Sequence, residues 1–186
     1  RPSARLHLSA GGPAGRSIPK GSPGCQRDRG RGLRAATSLS PDAVKRLEQD
    51  PNLQVKAFQG SNVVLLTINT ASAPLDNVKV RQAIAYAIDR ESLIKNLLLG
   101  FGKIAHSIIP EESWAYTPGQ TYSYDPNTAR RLLSESGVRI NNPVVFKLSG
   151  SSVAGRQYAG VIQNQLKEVG IPVEIQTPEA NTLLDE

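Results

Sequence analysis

The stretch PLDNVKVRQAIAYAIDR, residues 74–90, constrains the fold more than any other part of the chain. Asp76 or Asn77 can cap a helix by accepting a backbone N–H that the first turn leaves unpaired. Apolar residues then recur at helical spacing and predict one buried stripe, made of Val80, Ile84, Ala87 and Ile88. Asp89 is placed to cap a second helix, and Gly100 is a suitable left-handed stop after it. The stretch therefore predicts a helix pair that can nucleate a core.

Further elements are predicted on both sides of this helix pair. Before it, Ser40-Pro41 should open a short helix, and two strands are expected at 53–58 and 63–69. The apolar run of the second strand predicts burial on both faces. After it, Asp125-Pro126 should open a helix that Gly137 closes. A strand at 144–148, a helix ending at Gly170 and a strand at 171–175 then form a parallel βαβ unit.

The basic charge of the chain lies at its start. The whole chain has a formal net charge of +6, and residues 1–35 hold eight of the 22 basic residues but only one acidic residue. The remaining sequence is nearly neutral. Because residues 1–35 are rich in Gly, Pro, Ser and Arg and lack sustained apolar periodicity, they are predicted to form a disordered basic arm.

Catalytic and metal chemistry find little support in the residue pattern. His7 lies in the arm and His106 in a predicted loop, and the serines form no G-x-S-x-G elbow. Cys25 is the only cysteine, which rules out an intramolecular disulfide. No spacing suits a metal site, and no glycine-rich loop follows a strand. We therefore expect no enzyme activity, no metal and no cofactor.

Ligand binding is better supported, because small-molecule sites combine aromatic walls with a few polar anchors. Residues 106–124 contain the only Trp and three of the five Tyr. His106, Trp114 and Tyr116 are the candidate contacts in this stretch. Trp114 has an alternative role, which we favour, as a packing anchor that holds the loop to the domain. Glu111-Glu112 is expected to be a solvated pair.

Four separated blocks give the chain a specific resemblance to a known family. The signature PLDNVKVRQAIAYAIDRESLI, the segments FGKIAHSIIPEESWAY and YSYDPNTARRLLSESG, and the earlier run LSPDAVKRLEQDPNLQVKAFQGSNVVLLTINT occur in the order typical of family-5 extracytoplasmic solute-binding proteins. These are the receptors for oligopeptides, dipeptides and nickel in bacterial ABC importers. The resemblance covers roughly residues 36 to 180.

The resemblance implies an α/β fold of the type-II periplasmic-binding-protein class, present as a fragment. Residues 36–75 would be the end of the first lobe with a crossing strand, and residues 76–186 the second-lobe portion, truncated at its C-terminal end. The family has an α/β segment where this chain has Arg-Gly repeats, so we interpret residues 1–35 as a disordered leader. Translation of this leader in a wrong reading frame is a hypothesis.

The same resemblance implies the function and the partners. The parent would bind a peptide-like solute, deliver it to an ABC permease, and lie in the periplasm or on the cell surface as a lipoprotein. A monomer is expected, and this chain shows no export signal. The fragment alone should bind solute weakly or not at all.

Three further residues are candidate ligand contacts. In some dipeptide receptors an arginine in the equivalent loop pairs with the peptide carboxylate, so the resemblance makes Arg156 and the neighbouring Ser149 candidates. Arg156 is equally compatible with a solvated position in the first helical turn. Asn69 ends the crossing strand and could bond ligand, although a turn-capping role is favoured. Arg81 is expected to form a stabilising ion pair.

The alternative function is a nucleic-acid-associated protein that acts through residues 1–35. That function would predict binding with a steep salt dependence. The family resemblance favours a receptor that does not bind nucleic acid. An α/β hydrolase is a third, weaker alternative because the histidine and the elbow are missing.

Overall fold

A computed structural model describes residues 5–9, 39–56, 62–149 and 152–178. Five helices and four strands lie in these ranges: β1 (Arg5–Ser9), α1 (Pro41–Leu47), β2 (Leu65–Ile68), α2 (Val78–Ala87), α3 (Arg90–Leu97), α4 (Pro126–Ser136), β3 (Val144–Lys147), α5 (Val153–Glu168) and β4 (Val173–Gln176). The mixed helix and strand content agrees with the predicted α/β class.

The four strands form one mixed sheet in the order β2-β1-β3-β4. β1 pairs antiparallel with β2 and parallel with β3, so that Leu6 lies opposite both Ile68 and Phe146. β3 pairs parallel with β4, with Phe146 opposite Ile175. The predicted βαβ unit is confirmed, because α5 connects these two parallel neighbours.

The core lies between one face of this sheet and the helices. Val144, Phe146 and Leu148 alternate along the chain, point to this face and are at most 1% exposed. The stripe predicted for α2 packs into the same cluster, as do buried residues of α5. Burying each large aliphatic or aromatic side chain is worth about 1.5–3 kcal/mol. The prediction is therefore confirmed for α2, whereas α3 has no buried residue and adds only the half-buried Leu93 to this core.

Asn77 begins α2, and its side chain accepts a hydrogen bond from Lys79 N at 2.9 Å. The preceding turn buries Leu75 completely and follows a cis Ala73–Pro74 peptide bond. The Arg81 guanidinium donates to the carbonyls of Leu75 and Asp76 at 3.0 and 2.8 Å. Among the described residues Arg81 makes these bonds to backbone carbonyls and no ion pair, so the ion pair expected for it is not found there.

The other predicted helix ends are also confirmed. Asp89 caps α3 by accepting from Ser92 N at 2.9 Å, and Gly100 follows α3 with φ 87°. Asp125 caps α4 through Thr128, and Gly137 closes it with φ 67°. In both cases a glycine takes the left-handed conformation that a side chain disfavours.

Two strand predictions need correction. Residues 53–56 are irregular, and Leu53 is 39% exposed, while residues 57–58 lie outside the described ranges. β2 covers only Leu65–Ile68, and Thr67 is exposed, so burial on both faces is wrong. Among the described strands β2 pairs only with β1. An edge strand of this kind needs apolar residues on one face only.

The disordered arm also needs a correction at Arg5–Ser9, which forms β1. The sequence RLHLS alternates Leu6 and Leu8 with polar neighbours, a strand pattern that composition alone hides. Backbone hydrogen bonds to β2 and β3 satisfy both edges of this short segment. The rest of residues 1–35 lies outside the described ranges, and the domain boundary at 75/76 stays a prediction.

Candidate functional site

The aromatic loop, defined here as residues 101–124, connects α3 to α4 and holds Trp114 at the protein surface. Trp114 is 98% exposed, and Ile108 is 73% exposed. Ser113 N donates to Pro110 O at 2.9 Å, and Tyr116 N donates to Ser113 O at 3.0 Å. Trp114 therefore lies inside the second of two consecutive turns, with its ring in solvent. The packing-anchor role favoured for Trp114 is wrong.

A backbone hydrogen bond closes the aromatic loop behind Trp114. Gly119 N donates to His106 O at 2.9 Å, and a Cβ atom at position 119 would lie 2.7 Å from that oxygen. Only glycine permits this close approach. His106 is half-buried, and its Nδ1 has no hydrogen-bond partner among the described residues. The backbone of His106, not its ring, therefore closes the loop.

Lys103 links the beginning of the aromatic loop to its middle. Its Nζ lies 2.6 Å from a Glu111 carboxylate oxygen and 3.3 Å from one of Glu112. The bond to Glu111 is the main cause that raises the pKa of Lys103. The pKa of Glu112 is lowered, first by the backbone N–H of Glu112 and then by Lys103. The expected solvated pair is thus exposed but held by a shared lysine.

The end of the aromatic loop is held against α2 and α3. The Tyr122 ring meets the Tyr86 ring edge-on, with centroids 5.2 Å apart and an interplanar angle of 87°. The Arg90 guanidinium donates to Tyr122 O, and Asp125 N donates to Tyr86 O at 2.9 Å. Tyr86 and Arg90 were not predicted as functional, because no sequence spacing relates them to Tyr122.

Ser149 and Arg156 lie at the carboxyl end of β3 and the start of α5. Ser152 N donates to Ser149 O at 3.1 Å, and the Ser152 hydroxyl caps α5 by accepting from Gly155 N at 3.0 Å. Arg156 is an exposed residue of the first turn of α5. The cap brings these two candidates to the same edge of the sheet.

Asn69 lies at the opposite end of the strands from Ser149, because β2 runs antiparallel to the other strands. Its side chain accepts from Ala71 N at 3.0 Å, a turn of the kind favoured for it. The register places Asn69 level with Val145, four residues before Ser149. At 3.3 Å per residue, this separates Asn69 and Ser149 by about 13 Å along the strands. The ligand role of Asn69 stays a prediction.

The described residues include no cluster of three or more His, Cys, Asp or Glu side chains that could hold a metal ion. Within the same ranges, no helix has the length and hydropathy needed to cross a bilayer. The arrangement instead offers an exposed aromatic group on a closed loop, and hydroxyl and guanidinium groups at one edge of a sheet. Groups of these kinds can contact a small-molecule ligand.

Comparison with known proteins gives a consistent result over most of the chain. The profile of the bacterial extracellular solute-binding proteins, family 5 middle, matches residues 31–186. The dipeptide-binding protein of Escherichia coli (strain K12) is 34% identical over 148 residues, which are 75% of this chain and 27% of that protein. The nickel-binding periplasmic protein of the same organism is 29% identical over 161 residues, covering 78% of this chain and 30% of the relative.

A solved structure supports the fold. The dipeptide binding protein from Pseudoalteromonas sp. SM9913, in complex with Met-Leu, matches 78% of this chain and 30% of its own, with a TM-score of 0.68 and 31% identity. The predicted type-II periplasmic-binding-protein fold is therefore confirmed. The chain spans between a quarter and a third of the length of these relatives.

Proposed function

Because this chain belongs to family 5 of the bacterial extracellular solute-binding proteins, we propose that it supplies part of the solute-binding subunit of an ABC importer. The subunit binds its solute without covalent chemistry and delivers it to a membrane permease. It acts as a monomer in the periplasm or at the cell surface and does not bind nucleic acid. The similarity to the dipeptide-binding and nickel-binding proteins of Escherichia coli supports this role.

The exposure of Trp114 is the observation that carries the proposal. A tryptophan side chain can remove about 150–250 Å² from water, which at 25 cal/mol per Å² is worth roughly 4–6 kcal/mol before other costs. Here 98% of Trp114 stays in solvent, although the surrounding loop is closed by hydrogen bonds and ion pairs. A fixed loop that displays an aromatic group is suited to contact a solute.

We propose a peptide as the solute, with contacts in two places. Trp114, Tyr116 and His106 belong to the aromatic loop, where the tryptophan ring covers an apolar part of the solute. Ser149 and Arg156 lie at the carboxyl edge of the sheet, where a planar guanidinium can bind a peptide carboxylate through two parallel hydrogen bonds. Asn69 lies about 13 Å from Ser149 along the strands, so its contact would be to a different part of the solute.

A hybrid protein tests the proposal. Residues 39–178 replace the aligned segment of the Escherichia coli dipeptide-binding protein, and isothermal titration calorimetry measures binding of di- and tripeptides. The hybrid is expected to bind a peptide, and Trp114→Ala is expected to weaken binding about tenfold or more, as expected for a buried aromatic anchor. Arg156→Lys should weaken binding too, because an ammonium group lacks the bidentate fork.

The matched control is Tyr124→Ala, another surface aromatic, 44% exposed, at the end of the aromatic loop. It should leave the affinity unchanged. A hybrid that unfolds cooperatively but binds no peptide contradicts the function. If the large replacement does not fold, residues 101–124 alone are exchanged. Unchanged affinity of that hybrid after Trp114→Ala contradicts the contact.

A further inference from the structure

Three sets of contacts restrain the aromatic loop that carries Trp114. Lys103 bonds to Glu111 and Glu112, which brings the first third of the loop against its middle. The Gly119–His106 backbone bond closes a ring of residues 106–119, which contains Trp114. Tyr122 is then held by groups outside the loop. Each closure removes conformational freedom from the segment that carries Trp114, and none of them buries its ring.

The outermost closure depends on two residues that belong to other elements. Arg90 is the first residue of α3 and donates to Tyr122 O. Tyr86 lies near the end of α2, and its ring supports the Tyr122 ring edge-on at 5.2 Å. Such an aromatic pair is worth about 0.5–1.5 kcal/mol beyond the area that it buries. Together these residues attach the C-terminal end of the loop to the helix pair.

We propose that Arg90 and Tyr86 are positioning residues for solute binding, which fix the aromatic loop so that Trp114 is already in its binding pose before solute arrives. This inference rests on the proposed function. Neither residue needs to touch the solute. Their effect comes from preorganisation, because a loop that is ordered in advance loses less conformational entropy when it binds.

The pattern of partners separates this role from simple packing. Arg90 donates to a backbone carbonyl, so its target is the path of the loop and not a particular side chain at position 122. α3 is in turn fixed to α5, since Asp89 N donates to Gln165 Oε1 at 3.2 Å. These contacts therefore connect the aromatic loop to α5, the helix that carries both Gln165 and Arg156. Loss of the Arg90 or Tyr86 contact to Tyr122 should therefore alter the placement of Trp114 relative to Arg156.

Trp114 is the only tryptophan of the chain, so its fluorescence reports on the loop alone. The first experiment measures time-resolved anisotropy of Trp114 in the 186-residue chain without solute. Arg90→Leu should increase the amplitude of fast local motion. Tyr122→Leu should do the same because the ring contact is lost, whereas Tyr122→Phe should restore wild-type values because the ring and the carbonyl remain.

Arg130→Leu is the matched control for Arg90→Leu. Arg130 also donates to a backbone carbonyl, that of Glu168 at 3.3 Å, but Glu168 ends α5 and does not belong to the aromatic loop. It should leave the anisotropy of Trp114 unchanged. The inference is overturned if Arg90→Leu and Tyr122→Leu both give wild-type anisotropy. Tyr122→Leu decides the matter if Arg90→Leu fails to fold, because Tyr122 lies in the loop and outside the core.

The second experiment repeats Arg90→Leu in the hybrid receptor and measures peptide affinity. We expect roughly three- to tenfold weaker binding, and Tyr122→Phe should retain full affinity. If Trp114→Ala weakens binding but Arg90→Leu does not, the positioning role is overturned and the proposed function stands. If no variant and no wild-type hybrid binds peptide, the proposed function fails, whatever the anisotropy shows.

Discussion

Replacement of Ile84 by alanine tests whether α2 is a core helix. Ile84 is 1% exposed and belongs to the main cluster of buried residues. The change removes three carbon atoms, worth about 0.8 kcal/mol each, and leaves a cavity that adds to the loss. We therefore expect the free energy of unfolding to fall by about 2.5–4 kcal/mol.

Val78 provides the control within the same helix. It is also a β-branched aliphatic residue of α2, but it is 53% exposed. Both changes to alanine gain similar helix propensity, so this contribution cancels in the comparison. Val78→Ala should change the free energy of unfolding by no more than about 0.5 kcal/mol. The difference between the two variants then reflects burial and the one additional carbon atom that Ile84→Ala removes.

Urea denaturation followed by far-UV circular dichroism measures both variants. The slope of the free energy against urea concentration should stay at the wild-type value, since the exposed surface of the unfolded chain hardly changes. In thermal unfolding, Ile84→Ala should lower the midpoint by roughly 5–15 °C for a chain of this size. A loss below about 1 kcal/mol, or equal losses in both variants, would refute the argument that α2 is buried.

Three other changes test local features. Gly119→Ala places a Cβ atom 2.7 Å from His106 O, so it should break the hydrogen bond between Gly119 N and His106 O. NMR chemical shifts should then change within the aromatic loop only, and unchanged spectra would contradict the close approach. Gly160→Ala on α5 meets nothing within 4 Å and should raise the free energy of unfolding by about 0.5–1 kcal/mol in urea, and a loss would contradict the open space there. The Thr128 hydroxyl lowers the pKa of Asp125 below its ordinary value of 3.8. The ionised Asp125 therefore stabilises the folded chain above pH 3.8, and this contribution is lost as the pH falls through the lowered pKa. Asp125→Asn should remove this part of the acid sensitivity, measured as the pH midpoint of acid unfolding, and an identical midpoint would contradict it.

Most of the fold follows from local signals that the structure retains. Asn77 and Asp125 cap helices because a short polar side chain before an apolar periodic run has one favourable use. Gly137 ends α4 because the left-handed conformation costs a glycine little. The parallel pairing of β3 and β4 follows from the length of the helix between them. These inferences need only neighbouring residues.

Two failures arise where the decisive partners are distant in sequence. β2 was expected to be buried on both faces, but strand position in a sheet depends on which strands pair beside it. β1 was missed because a five-residue alternation is hidden in a segment rich in Gly, Pro and Arg. The composition of residues 1–35 as a whole does not reveal a five-residue strand, because strand formation depends on the alternation of the individual residues.

The site was predicted in part for the same reason. The aromatic content of residues 106–124 indicated a functional loop, but the exposure of Trp114 depends on turns and closures that the sequence does not specify. Tyr86 and Arg90 are more than thirty residues away from Tyr122 in sequence, with a separation of 32 for Arg90. No local pattern relates residues so far apart. The ligand roles of the six candidate residues stay predictions.

The most direct test of the central claim uses the single indole N–H signal that Trp114 gives in a ¹⁵N-correlated NMR spectrum of this chain. Di- to pentapeptides are added at millimolar concentration, since the chain covers only 27% of the dipeptide-binding relative and weak binding is expected. We expect a saturable shift of the indole signal, and Arg156→Lys should reduce this shift. An indole signal that moves without saturation, or a saturable shift that Arg156→Lys leaves unchanged, would contradict the proposed solute contacts.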